Sequence, residues 1–326
     1  MLIGHYYNNN LFTTKMKKYN CRVCNKSLSA TFVFREMMFG FRDEFGYAEC
    51  SNCNAIQILE VPDNIEKYYP PYYVSFTQQV PVLKRLPYLK RLINDLRIKI
   101  KYKNSNGQLI EFLRPAKTKP DAKILDIGCG KGALICSLFN FGFEKVSGVD
   151  KFIPDEVDHG YGVKVYKKDL YDLESNLYDL LILNHVLEHV DDQISEIKEC
   201  YRLLKTGGTL IVSVPVVGTA WEIYKENWVQ LDAPRHFVLH TLKSMAILAQ
   251  KTGFIINKTV FDSTAFQFWG SELYKKNIPL TLPNTHDWFA VDKGFSSEEI
   301  QKFEKEAKVL NATQKGDTAR FYFYKY

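Results

Sequence analysis

The chain has 326 residues, 46% of them hydrophobic and 25% charged, enough for one domain of about 200 residues with a full core plus a smaller attachment. No apolar run approaches the roughly 20 residues of a membrane-crossing helix, and the first ten residues lack the features of a secretory signal, so a cytoplasmic protein is expected. The net charge of +6 is uneven: residues 1–120 hold 19 Lys and Arg against 9 Asp and Glu, and the remainder holds 24 against 28, which turns the front of the molecule toward an anionic partner such as a phosphorylated sugar, a membrane surface or nucleic acid.

Residues 1–78 are rich in aromatics and cysteine. Cys21-x-x-Cys24 and Cys50-x-x-Cys53 are separated by a stretch carrying Phe39-Gly40-Phe41 and Phe45-Gly46-Tyr47, which reads as a short β-hairpin. Each pair can close a tight knuckle, and four thiolates make a closed tetrahedral Zn2+ site whose binding supplies folding free energy to a module too small for its own core. The odd total of seven cysteines also favours metal over disulfides. A redox Cys-x-x-Cys is the competing reading, and two pairs at this separation count against it. Tyr68-Tyr69-Pro70-Pro71-Tyr72-Tyr73 follows, either as part of a lid or as a packed connection.

Residues 79–118 form a basic linker. Val82, Leu86, Leu89, Ile93, Leu96 and Ile100 recur at spacings of 4, 3, 4, 3 and 4 and predict one apolar helical stripe, with Pro87 at a start or a kink. Lys84, Arg85, Lys90, Arg91, Arg97, Lys99, Lys101 and Lys103 lie between them, opposed by Asp95. The stripe packs on the next domain with its charges in water, or the helix docks on lipid headgroups at the membrane's inner face or on substrate phosphates.

From residue 119 onward, short β-rich runs alternate with helical stretches, the pattern of βαβ units and a parallel sheet. Strands are expected at 123–127, 146–150, 163–166, 180–184 and 209–215, the last entered through the turn pair Gly207-Gly208, with further strands at 254–261 and 319–326. The central motif is Leu125-Asp126-Ile127-Gly128-Cys129-Gly130-Lys131-Gly132. A strand turning through these glycines into a helix at about 133–139 lets a ligand approach bare backbone and helix N–H groups. Gly128-x-Gly130-x-x-Ala133 also fits a dinucleotide fingerprint. Asp126 argues against that reading, because a carboxylate where a pyrophosphate would sit repels it but suits a ligand with ammonium and sulfonium charges. Asp150, with Lys151 behind it, is placed for a ribose diol, and Asp169, with Leu170, for an adenine amino group.

Residues 121–215 resemble class I S-adenosylmethionine (SAM)-dependent methyltransferases. Asp126 to Gly132 matches their first motif, Asp150 their ribose-binding acid, Asn184-His185-Val186-Leu187-Glu188-His189-Val190 their fourth-strand motif, and Leu203-Leu204-Lys205-Thr206-Gly207-Gly208 the turn into their fifth strand. The resemblance implies a doubly wound, Rossmann-like α/β domain over 119–326, with a seven-stranded sheet ending in an antiparallel hairpin and interrupted by an insertion at about 263–318. It also implies a SAM site at Asp126, Gly128, Gly130, Gly132, Asp150, Lys151, Asp169, Leu170, Asn184 and His185. A zinc ribbon ahead of such a domain resembles bacterial methyltransferases of sugars, nucleotide-sugars and polysaccharides.

Methyl transfer to a sugar hydroxyl needs alignment and a general base. His189, after the fourth strand, and His236 are the expected bases. Asp232-Ala233-Pro234-Arg235-His236-Phe237 resembles the Pro-Arg-His segment of the polysaccharide enzymes, which implies that Arg235 holds a substrate phosphate or carboxylate. The same residues also suit simple anchoring of the loop. Trp221, Tyr224 and Trp228 suit sugar stacking or a core equally. The expected reaction is O-methylation of a nucleotide-linked, lipid-linked or polymeric sugar. RNA methylation, nucleotide-sugar C-methylation and a non-catalytic SAM-binding subunit are the alternatives. No Asn/Asp-Pro-Pro-Tyr tetrad follows the fourth strand, so nucleic acid is the less favoured partner. Oligomeric state is not legible in the sequence.

Overall fold

A computed structural model describes residues 19–73, 77–84, 93, 96–98, 100, 108–281 and 294–326. Among them the strands are β1 (Leu28–Arg35), β2 (Glu44–Cys50), β3 (Ile56–Ile58), β4 (Ile124–Ile127), β5 (Val146–Val149), β6 (Val157–Asp158), β7 (Lys164–Tyr166), β8 (Tyr178–Asn184), β9 (Leu204–Pro215), β10 (Val238–Leu239), β11 (Ile255–Phe261) and β12 (Thr318–Tyr324). The α-helices are α1 (Gln108–Leu113), α2 (Ala133–Phe141), α3 (Gln193–Leu203), α4 (Thr219–Tyr224), α5 (Leu242–Thr252), α6 (Phe266–Lys275) and α7 (Ser297–Ala312).

The large sheet has the order β11-β12-β9-β8-β4-β5-β7-β6. Pairing is parallel from β9 through β8, β4 and β5 to β7, and antiparallel at β12 with β9 and at β11 with β12. Leu180 to Leu183 in β8 are buried without interruption, as a central strand covered on both faces requires. The sheet has eight strands, not seven, because Val157 and Asp158 add an antiparallel edge against β7. Gly207 and Gly208 lie inside the long β9 instead of in a turn before it, with Gly208 receiving an N–H bond from Lys325. The segment between β11 and β12 carries α6 and α7.

A second sheet, β1-β2-β3-β10, holds the paired cysteines. Its hairpin runs through β1 and β2, so Phe39 to Phe41 form the connection and not a strand. Its last strand is supplied from far along the chain, with Val238 opposite Gln57 and Leu239 opposite Ile56. Cys21, Val23, Phe34 and Tyr47 share one buried cluster with Leu181, Val212 and Met245, so the cysteine segment and the large sheet have a common core. Thr241 and Lys251 donate to the carbonyls of Cys53 and Val23 across the same boundary.

The linker departs from the expected stripe. Val82, Ile93, Leu96 and Ile100 are all exposed, and it is Ile98 that is buried, against Leu113 and Ile124. Ile98 lies about 200° round a helix from Leu96, so the inward face is opposite to the one the spacing marks. Leu86, Leu89, Arg85, Lys90, Arg91, Lys99, Lys101, Lys103 and Asp95 lie outside the described residues. No described helix is long and apolar enough to cross a membrane.

Candidate functional site

At the carboxyl end of β4 the chain turns through Gly128 (φ 65°), Gly130 (φ 53°) and Gly132 (φ 85°) into α2. A Cβ on Gly128 would sit 2.7 Å from a methyl of Val186, so both the backbone and the space require glycine. Gly128→Ala should therefore cost about 1–3 kcal/mol in a denaturant titration and misplace the turn. Asp150, at the end of β5, braces this turn: one oxygen accepts from Gly130 N–H (2.9 Å) and the other from Phe152 N–H (2.8 Å).

The turn forms one wall of a cavity of about 690 Å³. Asp126, Gly128, Gly130, Asn184, His185, His189 and His236, all expected site residues, line it. Gly132, Asp150, Lys151, Asp169 and Leu170, also expected in the site, are not among the lining residues. Asp169 caps a short turn at Tyr171 and pairs with Lys151 at 3.3 Å. The structure adds lining residues that were not expected in the site: Glu188, although it lies in the fourth-strand motif, Asp262 and Asp317, and the aromatic rings of Phe266 and Trp269, with Tyr73 contributed by the aromatic stretch. Asp262 follows β11 and Asp317 precedes β12, so the sheet pairing of these distant strands brings both to the cavity. The lining contains five carboxylates and neither Lys nor Arg among the described residues.

Burial, and secondarily the charge of Asp150, pushes the Asp126 carboxyl up to about 8. Burial likewise raises Asp317 to about 6, although Trp228 Nε1–H donates to it at 3.0 Å. Burial would raise Glu188 too, but His185, hydrogen-bonded to Oε1 at 3.1 Å, and the nearby histidines outweigh it and hold the group at about 2. Burial, then His236, lowers His189 to about 4. Tyr69 Oη lies 3.2 Å from His189 Nδ1, so the aromatic stretch is both a packed connection and, through Tyr73, a cavity wall.

Arg235 is not a substrate contact. It is wholly buried, its guanidinium bound to Asp232 at 2.6 and 3.0 Å, to Glu36 at 2.9 Å and to the Tyr68 carbonyl at 3.1 Å. It ties β1's end to the loop that presents His236, and with four of its five N–H donors engaged and no place in the cavity lining it does not present a cation to an anionic ligand. Trp221, Tyr224 and Trp228 are buried as well and belong to the core, with Trp221 packing against Phe32, Phe34 and Trp228. The four cysteine sulfurs cluster with Cys21 to Cys53 at 3.6 Å and Cys24 to Cys50 at 3.3 Å. Tetrahedral Zn–S bonds of about 2.3 Å would place sulfurs about 3.8 Å apart, so the donor set fits the ion closely.

A twisted, mostly parallel sheet with its cavity at the carboxyl ends of the central strands defines a doubly wound α/β domain with a ligand crevice at its switch point. Residues 98–258 match the family model described as a methyltransferase domain. Phosphoethanolamine N-methyltransferase 2 of Caenorhabditis elegans is 24% identical over 147 residues, covering 42% of this chain and 33% of that protein. A ubiquinone biosynthesis O-methyltransferase of Xanthomonas oryzae pv. oryzae is 35% identical over 103 residues, covering 28% of this chain and 42% of that protein. The chain thus spans a third to under half of the length of these two relatives. A SAM-dependent methyltransferase structure from Archaeoglobus fulgidus aligns with 73% of this chain and 100% of its own, at a TM-score of 0.42 and 19% identity.

Proposed function

We propose that the chain is a SAM-dependent methyltransferase whose acceptor is a hydroxyl of a sugar in nucleotide-linked, lipid-linked or polymeric form. The observation that carries the reading is the buried Asp126 carboxyl on the cavity wall at the glycine turn, which a sulfonium–ammonium ligand would hold ionised and pair with, whereas a pyrophosphate would gain no charge partner there. The match of residues 98–258 to a methyltransferase domain supports it, as do O- and N-methyltransferases among the relatives.

Asp126, Gly128 and Gly130 would hold the donor, with Asp150 fixing the turn from behind. When bound, SAM supplies an electrophilic methyl group and a thioether leaving group. The other end of the cavity, with Glu188, His189, His236, Asp262 and Asp317, receives the acceptor, and Phe266 and Trp269 offer faces for a sugar ring. The protein aligns the acceptor oxygen, excludes water and draws off its proton at the Glu188–His189–His236 wall. The five carboxylates of the lining would repel a phosphate, which supports reading any phosphate of the acceptor as held elsewhere, toward the basic front of the chain.

Calorimetry tests the reading. SAM should bind and NAD should not, and tight NAD binding without SAM binding would end the case. The four cysteines are read as a structural zinc site. About one tightly held zinc per chain is expected there, and Cys50→Ser should lose it together with the cooperative unfolding of the β1-β2-β3-β10 sheet. Unchanged thermal unfolding in that variant would reject a structural role.

A further inference from the structure

We propose that Glu188, His189 and His236 form a second metal site, for a divalent first-row ion of the Zn2+ class, at the acceptor end of the cavity. Its use in catalysis rests on the methyltransferase reading; the binding of the ion does not.

Each of the three residues offers one ligand atom within 4.8 Å of the other two. Bonds of about 2.1 Å in tetrahedral array bring ligands about 3.4 Å apart, so each side chain need close inward by less than about 1 Å. The imidazoles are already in the ligating tautomer. His189 Nδ1 lies 2.8 Å from the Arg235 carbonyl and His236 Nδ1 lies 2.8 Å from the Gln230 carbonyl. A carbonyl only accepts, so each Nδ1 carries the proton and each Nε2 the lone pair, the second-shell arrangement that metal-binding histidines use. Asp232 Oδ2, 3.7 Å from His236 Nε2, is beyond hydrogen-bond reach and engaged by Arg235.

Glu188 supplies the independent observation. Oε1 is taken by His185, but Oε2 is fully buried without a hydrogen-bond partner. A buried oxygen left in that state is costly, and a cation between it and the two imidazoles removes the cost. Two imidazoles with one carboxylate favour a Zn2+-class ion over Mg2+ or Ca2+, which prefer all-oxygen sites. Three protein ligands facing a cavity leave a coordination position open, the arrangement of catalytic rather than structural sites.

An acceptor hydroxyl held at that position becomes more acidic. With an ion bound, Glu188, His189 and His236 serve as its ligands in place of accepting the proton, which passes to water at the cavity mouth. The oxygen's electron pair forms the new C–O bond while the C–S bond breaks, and that pair stays on the thioether sulfur.

Titration of the purified chain with Mn2+, which thiolates do not select, followed by electron paramagnetic resonance, reads this site apart from the four cysteines. Zinc analysis after dialysis against Zn2+ should then give about two ions per chain. Glu188→Gln should weaken Mn2+ and Zn2+ binding here roughly 100-fold, with the cysteine-bound zinc retained as a check on folding. His236→Gln provides the same reading if Glu188→Gln does not fold. A wild-type chain that takes up a single zinc and no Mn2+, or a Glu188→Gln chain that binds as tightly as wild type, overturns the proposal. Failure of the wild type to bind SAM would count against the methyltransferase reading alone and leave the ion count standing.

Discussion

Asp126→Asn is expected to weaken SAM binding about 100-fold at pH 8 while leaving the chain folded. A charge-assisted contact in a buried site is worth about 1.5–3 kcal/mol, and the amide keeps the shape but not the charge. The pH dependence gives the sharper signature. In the empty site the carboxyl titrates at about 8 because it is buried. A cationic ligand favours the ionised form, so binding below pH 8 releases a proton and affinity should rise about tenfold per pH unit up to that value, then level off. Calorimetry in buffers of different ionisation enthalpy would register the proton. The same group sets a stability trend in the ligand-free chain. Its folded value lies above the ordinary 3.8, so the folded state keeps a proton that the unfolded state has released. Stability from this group therefore falls as pH rises from about 4 toward 8, and the asparagine variant should lack that fall. A variant with wild-type SAM affinity and an unchanged pH slope would remove the basis of the proposed function.

Arg235→Ala should be the most damaging single change to the fold, at about 3–5 kcal/mol, because it strands the carboxylates of Glu36 and Asp232 in the interior. Against a total of about 5–15 kcal/mol this is a fifth of the margin at the least. Urea unfolding would measure it. Changing all three together, as Glu36→Gln, Arg235→Met and Asp232→Asn, should recover much of the loss, since no charge is then left unpaired. If the triple variant is no more stable than Arg235→Ala, the cost arises from lost packing around the guanidinium and the ionic account fails.

The glycine turn, the acids at its flanks and the positions of the main strands of the large sheet were legible because each is written locally: an apolar run, a glycine pair, an acid at the strand's end. What a side chain does once buried was not. Arg235 in a Pro-Arg-His segment suggests an anion site, yet nothing in the segment says that Glu36, 199 residues away, would claim it. Glu188 stood inside a recognised motif, but its unpartnered oxygen exists only after His185 takes the other one. Asp262 and Asp317 belong to no motif at all. They reach the cavity because β11 and β12 pair antiparallel across a long insertion. The linker stripe went the other way: periodicity finds an amphipathic face but cannot tell which side meets the protein, and Ile98 decided it. The eighth strand, only two residues long, is below what alternation can mark.

The pairing of β3 with β10 has a consequence for synthesis. The cysteine-bearing segment emerges early, but its sheet stays one ribbon short until a dipeptide made some 180 residues later arrives. Until then the nascent segment presents an open backbone edge at β3. Closure of the first sheet is therefore governed by the far half of the chain.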